Sequence, residues 1–170
     1  MTIPALMANH RKEATASKLK KFFTTMTQAK NLWATSDGIN PYNLIFPDDA
    51  VSVGDKTLEF YNKSFGKYLS STKAEVVGNY IRVHFNDGTS FVARIASNTV
   101  MYFFFCMQNE CYSEVFDGRK SFLFTMNNNG FSPGNGSVIM CKKRPPANRF
   151  DFGKYVRVGI ACSVHYNARL

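Results

Sequence analysis

A basic amphipathic segment close to the N-terminus constrains the fold of this 170-residue chain more than any other feature. Its large apolar residues recur at spacings of three and four, which places them on one face of an α-helix. The opposite face is rich in lysine, with Glu13 as the only acid. An apolar face of this kind needs a globular partner, so we expect one long helix over residues 2–34. The residues expected to pack on the partner are Leu19, Phe22, Phe23, Met26 and Trp33.

A second, shorter helix is predicted between Asp55 and Ser71. Gly66 weakens this helix without abolishing it, because glycine costs about 1 kcal/mol relative to alanine inside a helix. The apolar residues that recur at helical spacing here are Leu58, Tyr61, Phe65, Tyr68 and Leu69.

After residue 80 the apolar period changes to two, which predicts a β-hairpin around residues 86–88. A two-residue turn would place apolar residues opposite polar ones. A three-residue loop with Gly88 in the left-handed region pairs Val83 with Phe91 and Ile81 with Ala93 instead. The second register keeps one apolar face continuous, and we predict it.

Further strands complete a meander. Thr99–Cys106 is apolar on both faces, which is typical of a central strand. Ser121–Met126 is predicted as the next strand and Asn127–Gly136, rich in Asn and Gly, as a loop. Val138–Cys141 and Tyr155–Cys162 are the last strand candidates. We therefore predict an α+β fold, with the long N-terminal helix (1–34) packed on an antiparallel meander sheet within a head (35–170), as one domain.

The N-terminal segment, MTIPALMANHRKEATASKLKKFFTTMTQA (residues 1–29), resembles the type IV pilin-like proteins, which include type II secretion pseudopilins and minor pilins. In that family an apolar membrane helix leads through an Ile-Pro step into a polar helical extension that packs on a small sheet. A looser similarity extends through FNDGTSF (85–91) and FDGRKSFLF (116–124). The family's leader, cleavage-site residues and early Glu do not occur in this sequence. The resemblance therefore implies a pilin-like fold whose membrane helix would precede Met1.

The resemblance also implies a function. The chain would be a non-catalytic structural subunit of a type IV pilus or a type II secretion pseudopilus, acting by filament assembly in the cell envelope. Its partners would be other pilin or pseudopilin subunits and the inner-membrane assembly platform. An inner-membrane anchor would hold the head outside the cytoplasm, while the given chain itself is expected to be soluble.

Pro4 would occupy the family's Ile-Pro step at the membrane exit, where proline kinks or loosens a helix. The alternative is an ordinary first-turn proline, which helices accept well.

Four cysteines, an even number, suggest disulfides in a chain that resembles exported proteins. Pairing of Cys106 with Cys111 and of Cys141 with Cys162 is the arrangement we favour among the three that four cysteines allow. Four buried free thiols are the alternative.

The chain carries 21 Lys and Arg against 12 Asp and Glu, a formal net charge of +9. A net charge of this sign is compatible with a solvated surface that has no specific partner. It is also compatible with a surface that binds a polyanion. The alternative function is therefore a minor pilin-like binding module that holds DNA or another polyanion. Its candidate contacts are Lys142, Lys143, Arg144, Arg149, Lys154 and Arg157.

No pattern in the sequence indicates an enzyme, a metal or a cofactor. The chain lacks a Gly-rich phosphate loop, a nucleophile elbow and a His-Glu-x-x-His pair. His84 falls on the polar face of its strand, where a solvated or hydrogen-bonded histidine is expected. Cys162 and His165 have a ligand-like spacing, but a structural zinc site needs four ligands. Calcium would need clustered oxygen ligands, and the acidic residues are scattered.

Overall fold

The computed structural model describes residues 3–108, 118 and 120–134, which form two α-helices and a six-stranded antiparallel sheet. The strands lie across the sheet in the order in which they occur along the chain. This part of the chain confirms the predicted α+β class and the antiparallel meander. The elements are α1 (Ile3–Ser36), α2 (Gly54–Lys63), β1 (Ser71–Val77), β2 (Tyr80–Phe85), β3 (Ser90–Ser97), β4 (Val100–Cys106), β5 (Ser121–Asn127) and β6 (Gly130–Pro133), with 3-10 turns at Asp48–Ala50 and Phe65–Tyr68.

Helix α1 lies on one face of the sheet and is held there through its C-terminal half. From Lys12 to Lys18 every side chain is exposed or half-buried, and Leu19 is the first of the described side chains that is fully buried. One turn later, Phe22 contacts a phenylalanine ring from each of five consecutive strands. These partners are Phe85, Phe91, Phe105, Phe124 and Phe131, with ring centroids 4.3–6.3 Å from that of Phe22.

Helix α2 is shorter than predicted, because it ends at Lys63 and a 3-10 turn follows. Ser64 leaves the helical conformation, with φ −100° and ψ −120°. Gly66 then packs directly on Tyr61. A Cβ at position 66 would lie 2.5 Å from the Tyr61 carbonyl oxygen and 2.8 Å from its ring. The prediction of one helix to Ser71 was therefore wrong in its second half.

The predicted hairpin register is confirmed. Val83 pairs with Phe91 and Ile81 pairs with Ala93 across β2 and β3. Gly88 adopts φ +74° in the connecting loop, a left-handed conformation that glycine accepts without a steric penalty. All four paired side chains are fully buried on the face that α1 covers.

Strand β4 is central and apolar on both faces, as predicted. Met101, Phe103 and Phe105 belong to the core beneath α1. Phe104 and Cys106 point to the opposite face, where they pack with Val92 and Leu123 in a second apolar cluster.

The Asn-rich segment after β5 is not the long loop that the sequence predicted. Asn127 pairs with Gly130, so only two residues connect β5 to β6. The Asn129 amide donates to the Asn127 Oδ1 at 2.8 Å, a side-chain bond of the kind by which asparagine builds tight turns. Phe131 then pairs in β6 and is 6% exposed.

The strand candidates Val138–Cys141 and Tyr155–Cys162 lie outside the described residues. Within residues 3–108 and 120–134, no helix combines the length and the apolar character that crossing a membrane requires.

Candidate functional site

A cleft of about 410 Å³ lies between α1, the 3-10 turn before β1 and the β2–β3 loop. The aromatic part of its lining comes from Phe22, Phe85 and Phe105, and α1 adds Lys18 and Lys21 at the rim. The volume falls within the range of small-molecule sites, roughly 300–1,000 Å³. The cleft therefore combines an apolar floor with a charged edge.

Asp87 in the β2–β3 loop ties this edge to the helix. Lys21 Nζ donates to Asp87 Oδ2 at 2.7 Å, and the Thr89 amide and hydroxyl donate to Oδ1 at 3.1 and 2.6 Å. Burial alone would raise the pKa of this carboxyl, but the bonds from Lys21 and Thr89 outweigh it and lower the pKa to about 2. Asp87 is therefore negatively charged throughout the neutral range.

The Asp87 contacts predict how the free energy of unfolding changes in acid. A carboxyl whose pKa is lower in the folded chain stabilises the fold above its unfolded value of 3.8, and this contribution disappears as the pH falls through about 2. The side chain is 34% exposed, so solvent screening reduces the contribution to about 1 kcal/mol. We expect the difference in unfolding free energy between the wild type and Asp87→Asn to shrink by about that amount from pH 5 to pH 2, measured by urea unfolding.

The matched control for this prediction is Asp48→Asn, which removes an exposed carboxylate. Its difference from the wild type should stay nearly constant over the same pH range. A constant difference for Asp87→Asn as well would show that the Lys21–Asp87 contact does not stabilise the folded chain.

Lys30 is the one buried charged residue among those described, with 5% of its surface exposed. Its ammonium donates to the Pro41 carbonyl at 3.4 Å, and burial lowers its pKa. Helical spacing places Lys30 on the apolar face of α1, four residues after Met26 and three before Trp33. Its burial arises from the chain after α1 and from β6, whose Gly130 lies beside the ammonium.

The residues predicted to pack on the sheet differ in their burial. Leu19, Phe22, Met26 and Trp33 are 0–4% exposed. Phe23 is 37% exposed and lies at the rim of the interface, where its ring centroid is 6.0 Å from that of Phe131.

His84 lies on the polar side of β2. Its Nε2 is 3.4 Å from Glu75 Oε1, and Glu75 also contacts Lys73 and Arg82. The pKa of Glu75 is lowered mainly by the hydrogen bond from Lys73, and next by the one with His84. In the described part of the chain, no three His, Cys, Asp or Glu side chains come together as a metal site would require.

The other predicted sites are placed only in part. Pro4 is the second residue of α1. Cys106, at the end of β4, is 6% exposed and is not a free cysteine. Its predicted partner lies outside the described residues, so the pairing stays a prediction. The remaining candidates outside the described residues are Cys111, Cys141, Cys162, Lys142, Lys143, Arg144, Arg149, Lys154 and Arg157.

Comparison with known proteins gives one match. A sequence model of a family of unknown function (DUF6613) matches residues 5–144. No curated protein and no solved structure matches the chain.

Proposed function

We propose that this chain, which belongs to the DUF6613 family, is a structural subunit of a type IV pilus or a type II secretion pseudopilus. It would act by assembly in the cell envelope, without catalysing a reaction. The resemblance of residues 1–29 to the pilin-like proteins suggests this function. The way in which α1 is attached to the sheet supports it.

The observation that carries the proposal is the asymmetry of α1. At 1.5 Å per residue, its 34 residues span about 51 Å. Among the described side chains full burial begins only at Leu19, and those from Lys12 to Lys18, about 10 Å of helix, are exposed or half-buried. An isolated helix gains little stability in water without a packed face. A helical segment whose described side chains are exposed or half-buried is suited to packing against other subunits.

In the proposed mechanism the two halves of α1 have separate roles. The C-terminal half fixes the head, because Phe22 and its neighbours bury against all but the first strand. The N-terminal half leads towards the membrane helix that the resemblance implies. The face of α1 opposite the sheet is exposed and includes Lys20, and contacts between subunits would use this face. The partners would be other pilin or pseudopilin subunits and the inner-membrane assembly platform.

Photo-cross-linking in cells of the source organism tests this mechanism. A cross-linking amino acid at Ala14, exposed on the N-terminal half of α1, is expected to give adducts at multiples of the subunit mass or with a second filament subunit. The control is the same cross-linking amino acid at Asn62, exposed on α2. We expect adducts to form several times more efficiently from position 14. Equal yields at the two positions, or no adduct from position 14, would contradict the mechanism.

A further inference from the structure

We propose that the cleft between α1 and the β2–β3 loop binds a small monocarboxylate that carries an apolar body. This binding activity does not depend on filament assembly. Three features of the cleft support it: the apolar floor, a lysine that is left for a ligand, and a fixed negative charge that restricts which anions fit.

The floor is suited to a flat apolar group. Phe22 and Phe105 stack with their ring centroids 4.3 Å apart and are almost fully buried. Phe85 lies 6.3 Å from Phe22 in an edge-to-face arrangement and is half-buried, so part of its ring is accessible from the cleft. An aromatic or aliphatic body placed here would cover the part of Phe85 that is otherwise left to water.

The two lysines of the rim are not equivalent. Lys21 is paired with Asp87 at 2.7 Å. Lys18, one helical turn earlier on the same side of α1, has no carboxylate partner among residues 3–108 and 120–134. It is half-buried and lines the cleft beside Phe22. Lys18 is therefore the group that would receive the carboxylate of a ligand.

Asp87 limits the charge of the ligand. It lines the same cleft and is ionised at neutral pH. A second negative charge on the ligand would approach this carboxylate, and like charges within a few ångströms repel. The cleft should consequently prefer a monoanion to inorganic phosphate or a dicarboxylate.

The experiment is a titration of the 170-residue chain with benzoate, followed by the amide shifts in NMR spectra. We expect saturable binding with a millimolar Kd, and shifts that concentrate on the residues lining the cleft. Benzamide, which has the same ring without the charge, and inorganic phosphate should both bind more weakly. Lys18→Gln should weaken benzoate binding by about fivefold, near the upper limit for a partly exposed ion pair.

The matched control is Lys20→Gln, which makes the same change of charge on the same helix at an exposed position outside the cleft. It should leave the benzoate Kd unchanged. The inference is overturned if benzoate does not saturate at about ten times a millimolar Kd, if its shifts spread over the surface, or if the two variants weaken binding equally. None of these outcomes bears on filament assembly, which the cross-linking experiment tests separately.

Discussion

Replacing Phe22 with alanine is expected to lower the free energy of unfolding by about 3–5 kcal/mol, the range for removing a buried aromatic side chain. The side chain is 3% exposed, and its ring contacts rings from β2 to β6. Among the ring contacts of the described residues, no other residue of α1 contacts as many strands. Alanine would leave a cavity at the point where the helix crosses the sheet. Urea unfolding followed by circular dichroism measures the loss.

Phe23→Ala is the matched control, because it removes the same side chain from the next position. Phe23 is 37% exposed and, among the described rings, lies near that of Phe131 only. We expect a loss of about 1 kcal/mol or less, since only part of the side chain leaves water on folding. Equal losses for the two variants would mean that α1 does not dock on the sheet through Phe22.

Gly66→Ala is expected to cost about 2 kcal/mol, within the range for forcing extra atoms into a packed site. The added Cβ would lie 2.5 Å from a backbone oxygen of Tyr61, which a side-chain rotation cannot relieve. The 3-10 turn would have to move, and with it Phe65, which is fully buried. The measurement is again the free energy of unfolding in urea.

Asn62→Ala serves as the control for the glycine substitution. Asn62 is exposed in α2, one residue from Tyr61, and its replacement should change the unfolding free energy by no more than about 0.5 kcal/mol. A loss for Gly66→Ala as small as this would show that position 66 tolerates a side chain, and that the close approach to Tyr61 does not end the helix.

The hairpin and the central strand could be predicted from sequence because local patterns specify them. Ile81 and Val83 have to lie on the same face of the sheet as Phe91 and Ala93. Only the three-residue loop places them there. Strand β4 is apolar at nearly every position, as a strand covered on both faces requires.

The first and last of the described strands, β1 and β6, were harder to predict, for different reasons. β1 carries Lys73 and Glu75, charges typical of an exposed edge, and its register shifts between Ser71 and Lys73. The alternation of apolar and polar residues in β1 is therefore weak. The apolar residues before it also keep a helical spacing as far as Leu69. β6 follows a run of asparagines and ends at Pro133, and both features are typical of a loop.

The cleft could not be predicted from the sequence at all. Lys21 and Asp87 are 66 positions apart, and only the crossing of α1 over the hairpin brings them together. Periodicity indicated which face of α1 would be apolar. It gave no sign that Lys18, at the border of that face, would line a cavity beside Phe85.

The most direct test of the proposed filament subunit is the sequence of the genomic DNA immediately upstream of the Met1 codon. A membrane helix needs about 20 consecutive apolar residues. We predict an in-frame stretch of this length, preceded by a short basic leader, that leads into the Ile-Pro step at Pro4. An in-frame stop codon close upstream, with no such stretch, would contradict the proposal.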